Sequence, residues 1–423
     1  MAIKKTESGR VSGALTRRNA LKLGAGAAAF STLGMPSILR AQSSPIRIGH
    51  LTPMTGFLGT LGRGAVEGIT MAVEEVNAAG GVNGRKIDFS TEDSINPETA
   101  ATKAQRLMER DNVDFIMGEI SSASSLAISE VAKRNKKLFM ALGPRSDVLR
   151  GDRCTRYMFC TDLPNTAMVN AVGGALKREG LVSGKRLFTM TADYVFGHDL
   201  LSAAKKFMAA NGAEHVGDEL IATDVNDFSA FLLKIRQAQP DVVCVNLAGN
   251  QVSNFIKQYT EFGLPFQLAG FALNTENIWA AGAGNFSGLW PAIWYHDLQT
   301  DASLAFVKAF QAKYGKIPEN HAWVEYIAFK CAVQAIKETG SSDSEDIINY
   351  FESEAEFDIL KGRPGYFRKE DHQLMQEAYS LEAKPEGTYK DVYDSMAMGD
   401  PVPGADESLE SIFPSVEGGA CKL

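Results

Sequence analysis

Short apolar and β-branched runs alternate along this chain with longer stretches whose apolar residues recur at helical spacing. Residues 46–51 (Ile46-Arg47-Ile48-Gly49-His50-Leu51) predict a strand, and a glycine-rich turn then leads to a helix over 62–79 that stops at Gly80-Gly81. Strands follow at 86–90, 113–117 and 137–141, with a helix opening at Asn96-Pro97-Glu98 and another over 122–134. Asn96 suits a helix cap and Pro97 a first helical turn. A second unit of the same kind begins near residue 165, with strands at 186–190, 241–245 and 266–269 and helices at 195–210, 227–238 and 251–262. After Trp290 to His296 come helices over 302–314, 321–338 and 343–352, then a strand at 377–382. Strands separated by helices imply parallel sheets covered on both faces, so the fold class is α/β. From residue 385 the chain turns polar and rich in Pro and Gly, which predicts an extension along the surface.

The first 41 residues break this pattern. A basic start (Lys4, Lys5, Arg10), the pair Arg17-Arg18 and an apolar stretch from Leu23 to Leu33 precede Pro36 and Ala41. That order is the layout of an export signal, and the paired arginines point to the twin-arginine route. The apolar run is shorter than the ~20 residues a membrane-spanning helix needs. The full chain carries 43 Lys and Arg against 51 Asp and Glu; the signal holds seven of the former and one of the latter, so its removal takes the net charge from −8 to −14. A chain that acidic is a poor partner for nucleic acid or anionic lipid and suits a soluble monomer. The 382 residues beyond position 41 exceed one ordinary core and predict two domains.

Neither the cysteines nor the histidines have metal-ligand spacing, and no metal or cofactor is expected. Cys154 and Cys160 are close enough for a local disulfide, with Cys421 as an alternative partner; Cys244 and Cys331 sit in apolar runs and read as buried thiols. His50, His198, His215, His296, His321 and His372 are scattered, and the Gly-x-Ser-x-Gly nucleophile motif is absent, so an enzyme is not expected.

Several segments taken in order resemble the solute-binding proteins that serve ABC importers of the branched-chain-amino-acid class. They are Leu51-Thr52-Pro53-Met54-Thr55-Gly56, Gly64 with Gly68, Asn77 to Arg85, Gly118-Glu119-Ile120-Ser121-Ser122 and Asn226-Asp227-Phe228-Ser229. The resemblance implies a type I periplasmic binding protein: two doubly wound Rossmann-like lobes joined by a three-segment hinge. Its lobes would comprise residues 42–163 with 294–361 and residues 164–293 with 362–384, followed by an extension over 385–423. It also implies a solute cleft between the lobes, permease subunits as partners and a periplasmic location.

The same resemblance places candidate site residues. On the first lobe they are Phe57, Leu61, Ser121, Ser122, Gly143, Arg145 and Ser146; on the second, Tyr194, Phe196, Gly249, Phe271 and Ala272. Ser121-Ser122 opens a helix, whose free N–H groups suit a carboxylate. Ser122 as a plain helix cap, Arg145 as a solvated loop residue and the aromatics as core are the structural alternatives. The family's acid for a solute ammonium falls on Ala272, with Glu276 or Asp193 as substitutes, and an ammonium without a counter-charge would be costly to desolvate. These residues favour a small carboxylate with an aromatic or apolar body. Branched-chain or other amino acids are the alternative, as is a soluble partner of a membrane sensor.

Overall fold

The computed structural model describes residues 44–417 and 419–423, so the predicted export signal over 1–41 lies outside the described residues. The first sheet contains β1 (Ile46–Thr52), β2 (Ile87–Asp93), β3 (Phe115–Gly118), β4 (Phe139–Ala141) and β5 (Met158–Cys160), all parallel, in the order β2-β1-β3-β4-β5. Its helices are α1 (Gly59–Ala78), α2 (Pro97–Glu109) and α3 (Ser122–Asn135). Every residue of β3 and β4 is buried, as a strand covered on both faces requires.

After β5 the chain crosses to a second sheet through α4 (Asn165–Arg178). There β6 (Arg186–Ala192), α5 (Val195–Ala210), β7 (Glu214–Ile221), α6 (Ser229–Ala238), β8 (Val242–Asn246), α7 (Asn250–Phe262), β9 (Gln267–Gly270), α8 (Thr275–Ala281) and β10 (Leu289–Ala292) repeat the alternation. The chain then returns as α9 (Asp301–Tyr314), α10 (Asn320–Thr339) and α11 (Ser344–Phe351), with α10 packed along α1. A small hairpin, β11 (Tyr366–Phe367) with β12 (Leu374–Met375), precedes β13 (Tyr379–Ala383), which pairs antiparallel with β10. The strand β14 (Met396–Met398) completes the order β14-β13-β10-β9-β8-β6-β7.

The predicted strands and helices recur with their ends moved by a few residues, and further elements without a clear sequence signal appear, among them β7, α4 and α8. β7 is an edge strand of intermediate exposure, and its Glu214, Asp218 and Glu219 mask the apolar alternation. Its register against β6 shifts by one residue at Val216, and Gly217 beyond it faces Phe188, whose ring a Cβ there would meet. In α4 the Gly173-Gly174 pair lowers helix propensity; Gly173 is needed because a Cβ would meet the Phe207 ring of α5. α8 has only seven residues.

The disulfide joins Cys154 to Cys421, 267 residues apart, and the local Cys154–Cys160 bridge does not form. Cys160 ends β5 and faces the core beside Leu149 and Met158, whereas Cys154 stands on the loop before that strand. The extension after residue 385 is more than a surface layer. It supplies β14, inserts Ile412 and Phe413 into the core of the first sheet and receives a hydrogen bond from Asn170 of α4 at the Ile412 carbonyl.

Two tests follow from this packing. Alkylation of denatured, unreduced protein is expected to label Cys160, Cys244 and Cys331 and to leave a peptide pair linking Cys154 to Cys421. At Gly68 a Cβ would collide with the Ala322 carbonyl where α1 crosses α10. Gly68→Ala is therefore expected to destabilise by about 2 kcal/mol, read as a lower urea midpoint with an unchanged slope; an unaltered midpoint would show that the helix pair separates without cost.

Candidate functional site

The carboxyl ends of both parallel sheets face one cleft, where loops rather than strands present side chains. Its walls include Leu58, Leu61, Ile120, Gly143, Arg145, Tyr194, Phe196, Leu247, Ala248, Val252, Ala272, Leu273, Asn274, Asn277 and His321. Of the predicted residues, Leu61, Gly143, Arg145, Tyr194, Phe196 and Ala272 line this space. Ser121 and Phe57 line a contiguous mouth that also includes Tyr194. Phe271 instead faces the second sheet's core, stacked edge-on against Phe207 with centroids 5.8 Å apart.

Arg145 is 4% exposed and not a solvated loop residue. Its Nε donates to Asp162 at 2.9 Å beside the first sheet. Its two terminal nitrogens donate across the cleft to the Leu273 carbonyl at 3.1 Å and Asn274 Oδ1 at 2.9 Å, on the loop after β9. Three of its five N–H groups are thus engaged and two remain.

At the start of α3 the cap is Ser121, whose hydroxyl accepts from the Ser124 N–H at 3.3 Å, and not Ser122. Ser122 is buried and its Oγ accepts the Ser146 N–H at 3.2 Å, tying together the loops after β3 and β4. The Ser146 hydroxyl is buried without a partner. The two amides just before the helix are held by the chain's own carboxylate: Glu119 Oε1 accepts from Ile120 N at 3.0 Å and Ser121 N at 2.7 Å. Glu119 adopts a left-handed backbone, φ +63°, which curls its side chain back onto these groups. Burial pushes its carboxyl up to about 7 in spite of those bonds.

From the second sheet, Tyr194 packs edge-on against Phe57 at 5.5 Å and beside Phe196 at 5.6 Å. Gly249, φ +52°, lets the loop after β8 touch the first lobe: a Cβ there would collide with the Phe57 carbonyl, which accepts the Asn250 N–H at 3.0 Å. Thr60 on α1 donates to Asn250 Oδ1 at 3.1 Å. Gly249 therefore belongs to the closing contact and does not line the cleft.

The sequence reading did not single out Asn277 or His321. Asn277 is 1% exposed, donates to the Gly249 carbonyl at 3.0 Å and separates the cleft from a second cavity with an empty volume of about 780 Å³. Glu276, Glu319, Glu67, Arg63 and Lys316 line that second cavity. Both Glu276 carboxylate oxygens are buried without a partner, and burial pushes the group up to about 7. Glu319 caps α10 by accepting the His321 N–H at 2.6 Å and the Ala322 N–H at 2.7 Å. Burial, then the neighbouring Glu276, raises its carboxyl well above the ordinary range. Asp147 and Asp199 form a similar contact between the two sheets: Asp199 accepts the Asp147 N–H at 2.7 Å, and burial followed by Asp199 pushes Asp147 up to about 6.

A family model described as periplasmic binding protein matches residues 45–388. The "Leu/Ile/Val-binding protein homolog 8" of Brucella abortus (strain 2308) is 26% identical over 329 residues, covering 74% of this chain and 81% of that one. A solved periplasmic binding protein from Burkholderia mallei has 28% identity and a TM-score of 0.81, covering 90% of this chain and 99% of that chain. A solute-binding protein of an ABC transporter from R. palustris, solved with benzoate, shares the fold at 24% identity and a TM-score of 0.77, covering 90% of this chain and 100% of that chain. Sheets, cleft and family model agree, and this chain belongs to the periplasmic binding protein family of ABC transporters.

Proposed function

We propose that this protein captures a small carboxylate with an apolar or aromatic body and delivers it to the permease subunits of an ABC importer. The observation that carries this reading is the charge of the cleft wall. Among the described residues that line it, Arg145 is the one formal charge and no acid is present. His321 is held neutral, since burial and then Arg145 push its pKa well below the ordinary range. An anion would find two unengaged N–H groups of Arg145, while its body meets Leu61, Tyr194 and Phe196. An ammonium would find Ala272 where the family resemblance puts an acid, and Glu276 stands beyond Asn277 in the other cavity.

The relative's name points to branched-chain amino acids, and the same fold holds benzoate in the R. palustris protein, so the fold admits both classes. In our reading residues 1–41 direct export and are cleaved, giving a periplasmic protein. Residues 42–163 with 294–361 then close against residues 164–293 with 362–384 about the hinge. Closure is stabilised by contacts absent from the open form, among them Thr60 with Asn250 and Arg145 with Asn274.

A thermal-shift screen of the exported protein tests the solute class. Aromatic and apolar monocarboxylates at ~100 times their dissociation constant are expected to add about 2.7 kcal/mol and visibly raise the melting temperature, with leucine and isoleucine inert. Stabilisation by leucine and not by benzoate or its substituted forms would overturn the carboxylate reading.

Closure is also expected to depend on pH. Glu276 and Glu319 approach each other from opposite sheets, and their shared desolvation makes the closed form hold more protons than the open one. Affinity should therefore be greater at low pH and fall as pH rises from the ordinary carboxylate range through about 7, where Glu276 loses its proton. Each coupled proton contributes at most about tenfold per pH unit. Titration calorimetry in buffers of different ionisation heat should show proton uptake that Glu276→Gln reduces, the Asp147–Asp199 contact leaving a shallower remainder. Equal uptake in wild type and variant would refute the assignment.

A further inference from the structure

We propose that His321 selects the solute through a hydroxyl group, so that the carboxylate taken by this cleft is a hydroxy-substituted aromatic acid. This rests on the carboxylate reading above and narrows it.

The argument starts from Arg145, which has donors and no acceptor. Because it donates to the Asn274 side chain at 2.9 Å, the atom facing it must be the amide oxygen. The same oxygen lies 3.1 Å from His321 Nε2. An oxygen acceptor there requires the ring proton to be on Nε2, and in a neutral ring Nδ1 is then a bare acceptor. His321 is 1% exposed, lines the cleft and has its Nδ1 buried without a partner. An unmet buried acceptor is costly, and a ligand donor is the group that removes the cost.

The chemistry of that donor is restricted further. A cationic donor would sit beside the Arg145 guanidinium, whose acidic partner Asp162 is already bonded to its Nε and does not line the cleft, so the donor is neutral. Protonation of the ring, which would turn Nδ1 into a donor, is opposed by burial and by Arg145. Arg145 and His321 bond one and the same oxygen, so the anion site and the acceptor fall within the reach of a single small molecule. Tyr194, Phe196 and Leu61, which line the same cleft, suit a ring between the two polar groups. Gly143 leaves room for this arrangement, since a Cβ there would stand 3.2 Å from His321 Cε1.

The test compares donors with matched non-donors by titration calorimetry: the three hydroxybenzoates against their methoxybenzoates, and mandelate against phenylacetate, with benzoate and leucine as references. At least one hydroxy acid is expected to bind tenfold or more tightly than its matched non-donor. In His321→Phe, which keeps a ring but no acceptor, that ratio should collapse toward one while the non-donor's affinity stays within about threefold. Binding of benzoate and the methoxybenzoates as tightly as any hydroxy acid would overturn the proposal and leave the carboxylate reading standing. A ratio that survives in His321→Phe would also overturn it. Binding of leucine with none of the acids would remove both readings. Should the variant fail to fold, the wild-type ratios alone decide.

Discussion

A single buried guanidinium sets much of the geometry between the two sheets. Arg145 leaves the loop after β4, pairs with Asp162 on its own side and reaches Leu273 and Asn274 on the other. A charge this deeply buried is tolerable only while its partners are in place; removing one typically costs about 3–5 kcal/mol. The loop after β9 is thereby fixed in position, and with it the orientation of the Asn274 amide and the proton position on His321. Because the partners come from different sheets, separating them would strip Arg145 of two acceptors and expose it to water. In the closure proposed above, open and closed forms exchange one set of hydrogen bonds for another, a balance that a modest contribution from solute would shift.

The contacts around Arg145 share this character. Gly249 permits a backbone approach to Phe57 that a side chain would block, and Asn277 and Thr60 place single hydrogen bonds beside it. One apolar cluster also crosses between the sheets, with Leu58, Leu61 and Ile120 in the same buried group as Ala192, Phe196 and Ala248. Other large clusters include Trp294 and Trp323 near the first sheet and Phe228, Phe255 and Trp290 in the second. Polar bonds and apolar burial thus act together between the sheets, while burial holds each sheet together.

The fold was legible because parallel strands covered on both faces leave a plain mark: β3, β4 and β8 are short, apolar and β-branched or aromatic, and amphipathic helices separate them. β7 escaped because an edge strand keeps acids facing water, and α4 because its glycines are required by α5 rather than by the helix. The cleft was less legible. Arg145 could be identified as a candidate, yet its partners stand 17, 128 and 129 residues away, and no local pattern reveals such a pairing. Ser122 looked open to an anion because a helix start normally is. The Ser121 hydroxyl caps the Ser124 N–H there, and Glu119, in a left-handed conformation invisible to periodicity, takes the two amides just before the helix, those of Ile120 and Ser121. His321 was one of six scattered histidines, and only the chain from Arg145 through Asn274 gives it a defined tautomer.

The placement of acids argues against treating the net charge of the protein as a guide to its solute. The chain is strongly acidic, yet the cleft wall carries one cation and no acid. Glu119, Glu276 and Glu319 approach the cleft, and each is diverted. Glu119 is turned back onto the start of α3, Glu276 lies behind Asn277, and Glu319 is committed to the cap of α10. Burial raises the proton affinity of all three, which reduces the negative charge they project toward a bound anion at neutral pH and below. Under the proposed carboxylate reading an acidic protein can still hold an anion: the exterior keeps its charge in water, Asp162 is taken up by its ion pair with Arg145, and Glu119, Glu276 and Glu319 are capped, screened by an amide or inclined to be neutral.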